Sequence, residues 1–510
     1  MKNLILVLSA LFYSSAFSNT LAIVDSGVDF DHQALATQMW NNPGEIPGNR
    51  RDDDDNFFRD DIYGWNFASD DKHIIDPKYF GTFSKDPHRV VNIQAELLLN
   101  GFSSKAMSCF CKAKEDLPPI CQDVDYGEIF KKTKIQKTDL SWLCDIRSNK
   151  DFQKELGIFG NFAHGTHVAN IASRQAPGSK VMGLKLIPTE VGLSSMGFNL
   201  PTGLADPDKE IKPLKKWQRK ILDQMIKGLV GVQMGSMAPI FDYMKEQKVS
   251  VMNGSFGTPF YAIKTFTDIG FRIVSFRKPT KEESDEWAKV FFKHHVDGIE
   301  ALVAKSPEIL FVFAAGNDGT NNDVIPTSPT NASSKNVISV AATLDRVAIA
   351  GFSNYGKVEV DLAAPGVAIE AAIPSVSHSE TLRFSGTSQA SPFVAGVAAR
   401  MRLINPSLTP EQVKKALIQT VDKKNFLDGK LVSGGIINEN RAVKFATIVK
   451  NVGFDKAVAF VNKNIADVLP KHIITRFEKE KPVNVMPDLT QSPEVMSKMF
   501  SVLAQFQAQM

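Results

Sequence analysis

The sequence predicts an α/β fold: a three-layer arrangement of a parallel sheet with helices on both faces, carrying long surface insertions and a helical C-terminal tail. Three observations predict it. Five short apolar, β-branched runs each stop at a small-residue turn, as buried parallel strands do. Between them lie segments with apolar residues at three- and four-residue spacing, as crossover helices require. Three of the runs lead into Asp25, Ser255 and Asn317, polar residues that such a sheet gathers at the carboxyl ends of its strands.

In chain order, residues 21–24 (Leu-Ala-Ile-Val) run into Asp25-Ser26-Gly27, and residues 181–186 form the second strand. Residues 249–252 lead to Asn253-Gly254-Ser255, residues 309–313 to Ala314-Ala315-Gly316-Asn317, and residues 337–342 complete the set. Helical spacing covers residues 163–173, 235–247, 285–305 and 388–404. Two stretches break this rhythm and read as surface insertions: residues 72–158, which hold all four cysteines, and residues 188–234, Gly/Ser/Pro-rich at first and basic later. The main domain is therefore expected over 19–445, with a Lys-rich helical extension over 446–510.

With 510 residues, 43% hydrophobic and 23% charged, the chain can bury a large core. A formal charge of +3 is small for this length and argues against a nucleic-acid binder; the basic run 212–220 reads as a solvated helix face. Residues 1–18 read as an export signal: Lys2 supplies the positive start, residues 4–12 the apolar run, and Ser14-Ser15-Ala16-Phe17-Ser18 the small-residue exit. That run is too short to span a bilayer. The expected product is secreted, extracellular or periplasmic, monomeric, and without a membrane span. In that setting Cys109, Cys111, Cys121 and Cys144 read as two local disulfides. A Cys109–Cys111 bridge would close a very small ring; the two other connectivities stay open.

Three segments carry groups suited to nucleophilic catalysis. In Ser385-Gly386-Thr387-Ser388, the serine opens a helix with a small-residue face (Ala390, Ala395, Gly396, Ala398, Ala399), where the helix dipole favours developing negative charge. Read alone, a serine there is far more commonly just an N-cap. His164 and His167 flank Gly165-Thr166 at the start of an apolar helix; His164 is the expected base, with Gly165 leaving a ring face open, and His167 the buried partner, although the residues alone do not choose between the two. Asp25 closes an apolar strand, where an unpaired carboxylate is costly and a histidine N–H would satisfy it; in isolation Asp25-Ser26-Gly27 reads equally as a capped turn.

Together the segments resemble the subtilase family. Ile23-Val24-Asp25-Ser26-Gly27-Val28-Asp29, His164-Gly165-Thr166-His167-Val168-Ala169 and Gly386-Thr387-Ser388-Gln389-Ala390-Ser391-Pro392 are similar to its three signature blocks, in the order Asp, His, Ser. Asn253 to Gly257 and Ala314 to Asn317 are similar to two more. The resemblance implies a serine endopeptidase in which Ser388 attacks, His164 shuttles the proton and Asp25 orients the imidazole. It implies that Asn317 and the Ser388 N–H hold the oxyanion. Ser255, Phe256 and Gly257 would pair with an extended peptide or protein substrate, and with Ala314, Ala315 and Gly316 would wall the pocket for the residue before the cut. Val324 is expected near that pocket's floor. No cofactor is required for this chemistry. The acidic run at 52–61 resembles a calcium loop found in part of the family, which assigns Asp52, Asp54, Asn56 and Asp61 as candidate ligands of a structural calcium. Asp55 and Phe57 stand where that loop usually has glycines, so a solvated acidic loop is the alternative. Only residues 19–24 separate the expected signal cleavage from Asp25, unlike the many subtilases with a propeptide there.

Overall fold

The computed structural model describes residues 19–112, 121–190, 212–257 and 260–471. The expected signal at 1–18, much of the second insertion and the end of the tail lie outside the described residues. Strands β1 (Thr20–Asp25), β2 (Gly64–Asn66), β3 (Lys180–Lys185), β4 (Val249–Gly254), β5 (Leu310–Ala314), β6 (Val337–Leu344), β7 (Ala348–Ile349) and β8 (Leu362–Pro365) are followed by the hairpin strands β9 (Ile369–Ala372) and β10 (Thr381–Phe384), then β11 (Asp422–Lys423) and β12 (Gly435–Ile436). The main sheet runs β11-β12-β8-β6-β5-β4-β1-β3-β2, with β7 on β6. Every pairing from β12 to β2 is parallel. All five strands expected from the sequence are there.

The helices are α1 (Asp86–Leu99), α2 (Lys105–Lys112), α3 (Tyr126–Lys132), α4 (Lys137–Arg147), α5 (Lys150–Gln175), α6 (Lys216–Glu246), α7 (Phe260–Ser275), α8 (Lys281–Val303), α9 (Thr387–Ile404), α10 (Pro410–Gln419), α11 (Glu439–Val452) and α12 (Phe454–Asn464). Alternation along β1 shows how the layers form. Leu21 and Ile23 join the core shared with Val168 and Ala172 of α5 and Val394 and Ala398 of α9. Ala22 and Val24 join the opposite core with Phe241 and Met244 of α6 and Ile299 and Val303 of α8. Burial on both faces is why these strands read as continuous apolar runs. β1 is flanked by β3 on one side and β4 on the other, so strand order reverses there, which opens a crevice at its carboxyl end. Asp25 stands at that point.

Two helical modules depart from the sequence-based boundaries. Over 72–158, helices α1 to α4 and the first turns of α5 enclose a core of Val90, Ile93, Leu97, Ile129, Leu140, Leu143 and Phe152. Disulfides Cys109–Cys121 and Cys111–Cys144 resolve the open connectivity. Helix α5 does not begin at 163: it is continuous from 150 to 175, so the expected boundary at 158 falls inside it. Likewise α6 spans 216–246 and crosses the expected boundary at 234. Its first half packs with α7 and α8 around Leu222, Ile226, Phe271, Trp287 and Phe292, a module whose α7 the sequence reading did not anticipate. The C-terminal region is helical as expected, but α11 straddles residue 445, and Ala457 and Val461 of α12 belong to the main core. Among the described residues, no helix is long and apolar enough to cross a membrane.

Candidate active site

Asp25 ends β1 fully buried, and its Oδ1 accepts from the Ser26 N–H at 2.7 Å. The same oxygen lies 2.6 Å from Nδ1 of His164. A carboxylate can only accept here, so Nδ1 carries the proton and Nε2 presents a lone pair when the ring is neutral. The His164 side chain is 24% exposed. His167 differs on every count. It is fully buried, donates from Nε2 to the carbonyls of Ile369 and Leu382 at 3.0 Å each, and stacks on Phe384.

Burial, with His164 and Arg174 adding to it, pushes the His167 pKa down to about 3, and burial alone pushes His295 down to about 4. Unfolded histidines titrate near 6.5, so below that pH the unfolded chain binds protons that the folded chain refuses. These two groups therefore contribute stability that is complete above pH 6.5 and is lost as pH falls toward 4 and 3. The loss is at most about 1.4 kcal/mol per pH unit for each ring. The Tm drop between pH 6.5 and 4.5 is expected to be smaller in His295→Gln than in the parent; equal drops would refute this.

Close backbone contact positions the imidazole. Gly165 was expected to leave a ring face open; instead a Cβ there would lie 2.2 Å from the Gly27 carbonyl oxygen. The Gly165 N–H donates to Ser26 Oγ at 3.2 Å, and that hydroxyl donates to the Asn161 carbonyl. Helix α5 is thus fastened to the Asp25-Ser26-Gly27 turn on either side of His164. Lys185, which the sequence reading left in a strand without comment, clamps the same turn from β3. It is opposite Asp25 in register, and its buried Nζ donates to Ser26 O at 2.5 Å and Thr189 Oγ1 at 2.8 Å. Burial pulls its ammonium below the usual lysine range, with Asp76, 3.5 Å away, opposing that shift.

Ser388 lies in the first turn of α9, and its Oγ donates to the Ser255 carbonyl at 3.1 Å. The small-residue face of α9 explains how this helix is placed against α5: a Cβ on Gly396 would lie 2.3 Å from Ala172 O. The helix bearing His164 and the helix bearing Ser388 therefore meet backbone to backbone. Asn317 follows β5, and its Oδ1 accepts from Thr387 N at 2.8 Å and Thr387 Oγ1 at 3.0 Å. Two donors on one atom fix which end of the amide is oxygen. Nδ2 then lies beside Gly386, where a Cβ would be 3.5 Å from it.

Ser255, Phe256 and Gly257 leave the end of β4, next to Ala314, Ala315 and Gly316 at the end of β5. Phe256 packs edge-on against Phe313, and Gly257 is exposed. Val324, expected at a pocket floor, is 58% exposed. The residue between the two glycine walls is buried Thr327: its methyl lies 3.5 Å from a Cβ built on Gly316 and 3.9 Å from one on Gly257. No local motif marks Thr327, because the loop leading to it has no periodicity.

The acidic loop is only partly as expected. Asp61 is fully buried, but its oxygens accept from Asn42, Asn56 and the Tyr243 hydroxyl, at 2.7, 3.1 and 2.6 Å. Asn56 and Asp61 thus satisfy each other and drop out of the candidate ligand set. Asp52 and Asp54 instead converge with Glu45, with ligand oxygens within 4.8 Å of one another. Asp54 Oδ1 is buried with no hydrogen bond among the described residues, which suits a hard cation. Asp55 and Phe57 hold φ of 58° and 74°, so the turn forms without the glycines.

Residues 18–435 match the family model of the subtilases, four-fifths of the chain, and the protein belongs to the subtilase family. It is similar to the subtilisin-like protease 2 of Plasmodium falciparum, 31% identical over 176 residues, and to the extracellular basic protease of Dichelobacter nodosus, 39% identical over 143 residues. These matches cover 34% and 26% of this chain but 13% and 23% of the two relatives. Among solved structures, a cold-adapted subtilisin-like serine proteinase aligns over 83% of this chain and 90% of its own, at 17% identity and a TM-score of 0.38.

Proposed function

We propose that the protein is an exported serine endopeptidase with Asp25, His164 and Ser388 as its triad. The observation that carries this reading is the 2.6 Å Asp25–His164 contact, joined by an Asn317 amide already oriented by Thr387 at the start of the Ser388 helix. In the substrate-free arrangement the Ser388 hydroxyl donates to Ser255 O. Rotation about its Cα–Cβ bond turns Oγ toward His164 Nε2. Oγ then bonds to the scissile carbonyl carbon as its proton passes to Nε2, and the imidazolium formed is stabilised by Asp25. Negative charge collects on the carbonyl oxygen, facing Asn317 Nδ2 and the Ser388 N–H. Collapse breaks the C–N bond, the leaving amine takes the proton from Nε2, and water returns the acyl-enzyme to Ser388 by the same route. An active-site fluorophosphonate is expected to label folded parent protein and not Ser388→Ala. An unlabelled, folded parent that also leaves casein intact would sink the reading.

Thr327 closes the pocket for the residue preceding the cut and favours small to medium apolar side chains there. Thr327→Gly is expected to raise the kcat/KM ratio of Phe- over Ala-bearing peptides by about tenfold or more. An unchanged ratio would place the pocket elsewhere. The peptidase domain is assigned to 19–445, preceded by a signal over 1–18 and followed by the extension over 446–510. The reaction draws on the chain's own groups. A structural Ca²⁺ is assigned to Glu45, Asp52 and Asp54, where it would tie the acidic loop. Chelation with EDTA is expected to lower the Tm and added Ca²⁺ to restore it; a Tm indifferent to both would remove the cation.

A further inference from the structure

The basic run 212–220 holds Lys212, Lys215, Lys216, Arg219 and Lys220 with no acidic residue. Folding sorts these side chains by face. Arg219 turns toward α8, where it pairs with Glu286 and lies over the Trp287 ring. Lys216 and Lys220 stand on the outer face of α6, and neither makes an ion pair among the described residues. Beside them runs an apolar stripe at four-residue spacing: Trp217, Ile221 and Met225 are 56%, 46% and 41% exposed. Helix α7 widens it with Ile273, 46% exposed.

The two helices are held side by side. Gln218 Nε2 donates to Val274 O at 2.9 Å, and a Cβ on Gly270 would lie 3.0 Å from Leu222 Cδ1 and 4.0 Å from Met225 Cε. The module's own core is already filled by Leu222, Ile226, Phe271 and Trp287 on the opposite face, so the stripe is surplus to folding. A contiguous exposed apolar stripe on a folded module marks a contact surface. Tryptophan and aliphatic residues bordered by lysines are the make-up of a helix that lies in a lipid interface. There the apolar side chains enter the acyl boundary, and lysine ammonium groups meet anionic headgroups while their stems lie along the apolar surface. A nucleic-acid backbone would engage the lysines and leave the stripe in water, so the combination favours lipid.

We propose that this face of α6 and α7, built on Lys216, Trp217, Lys220, Ile221, Met225 and Ile273, docks the protein on an anionic lipid surface with α6 lying in the plane of the bilayer. The test uses the full chain carrying Ser388→Ala, to prevent self-digestion, with phosphatidylcholine vesicles and equimolar phosphatidylcholine–phosphatidylglycerol vesicles. Sedimentation is expected to show binding to the anionic vesicles at least about tenfold tighter than to the neutral ones. Tryptophan emission should shift to the blue on binding, a shift lost in Trp217→Ser, because Trp40, Trp65 and Trp287 are buried and half-buried Trp142 lies in the cystine-bearing module under Arg89. Trp217→Ser with Ile221→Ser, and Lys216→Glu with Lys220→Glu, should each weaken binding about tenfold or more while leaving the unfolding transition in place. Variants that bind like the parent, equal affinity for both vesicles, no binding, or a dimer dissolved by these substitutions would each overturn the proposal.

Discussion

Ser388→Ala is expected to lower kcat by about 10⁶ with no change in Tm, a size known from subtilisins, in which nucleophile and base act as one unit. The side chain it alters is half-buried, and among the described residues its one hydrogen bond is to Ser255 O, so little stability goes with it. The geometry also sets an order among the partners. Asn317→Ala removes a donor already fixed by Thr387 and is expected to cost about 10² to 10³ in kcat. Asp25→Asn keeps the shape but reverses which imidazole nitrogen bears the proton, at about 10⁴. Steady-state kinetics on a chromogenic peptide checks all three. A Ser388→Ala protein within tenfold of the parent would mean that another group carries the reaction.

The second large effect is expected at a residue that never meets substrate. In Gly165→Ala the new methyl must sit 2.2 Å from Gly27 O and 2.9 Å from Gly27 N, both backbone atoms that cannot rotate away. Relief requires helix α5 to move from the β1 turn by roughly 1 Å, and overpacking of this kind costs about 3 kcal/mol or more. Because His164 is the adjacent residue, the folded fraction should also lose about 10²-fold in kcat through misplacement of the imidazole. Gly160→Ala is the control: it is in the same helix with nothing within 4 Å, and alanine there should stabilise by up to about 1 kcal/mol. Calorimetry that shows the two variants melting alike would refute the close-approach account.

The strands were legible because burial on both faces leaves an apolar run that no helix pattern imitates over so few residues, as in β1 and β5. The proposed triad residues were picked out through the family's blocks. The choice between His164 and His167 needed geometry, since both lie on one helix and differ only in which neighbour they reach: Asp25 for one, two backbone carbonyls for the other. Helix ends were misread wherever an insertion continues a core helix without a break. Nothing between Lys150 and Ala163 caps or kinks α5, so a composition shift was mistaken for an element boundary. Thr327 and Lys185 were missed because each acts through neighbours distant in sequence, Gly257 and Gly316 for one, Ser26 for the other. The acidic loop misled in a further way: its most buried carboxylate, Asp61, has its charge absorbed by amides and a phenol, leaving Glu45 from outside the run to complete the cluster.

The unbroken α5 has a mechanical consequence. A single rod runs from the cystine-bearing module through Phe159 and Ala163, which pack on Phe83, Val91 and Phe384, directly to His164, the proposed base. Adding or removing one residue ahead of the Gly165 contact would turn everything upstream by about 100° around the rod, swinging the module off the β9–β10 hairpin. The module is therefore geared to the candidate site rather than tethered beside it, and an exchange of modules between relatives must preserve helical phase as well as length.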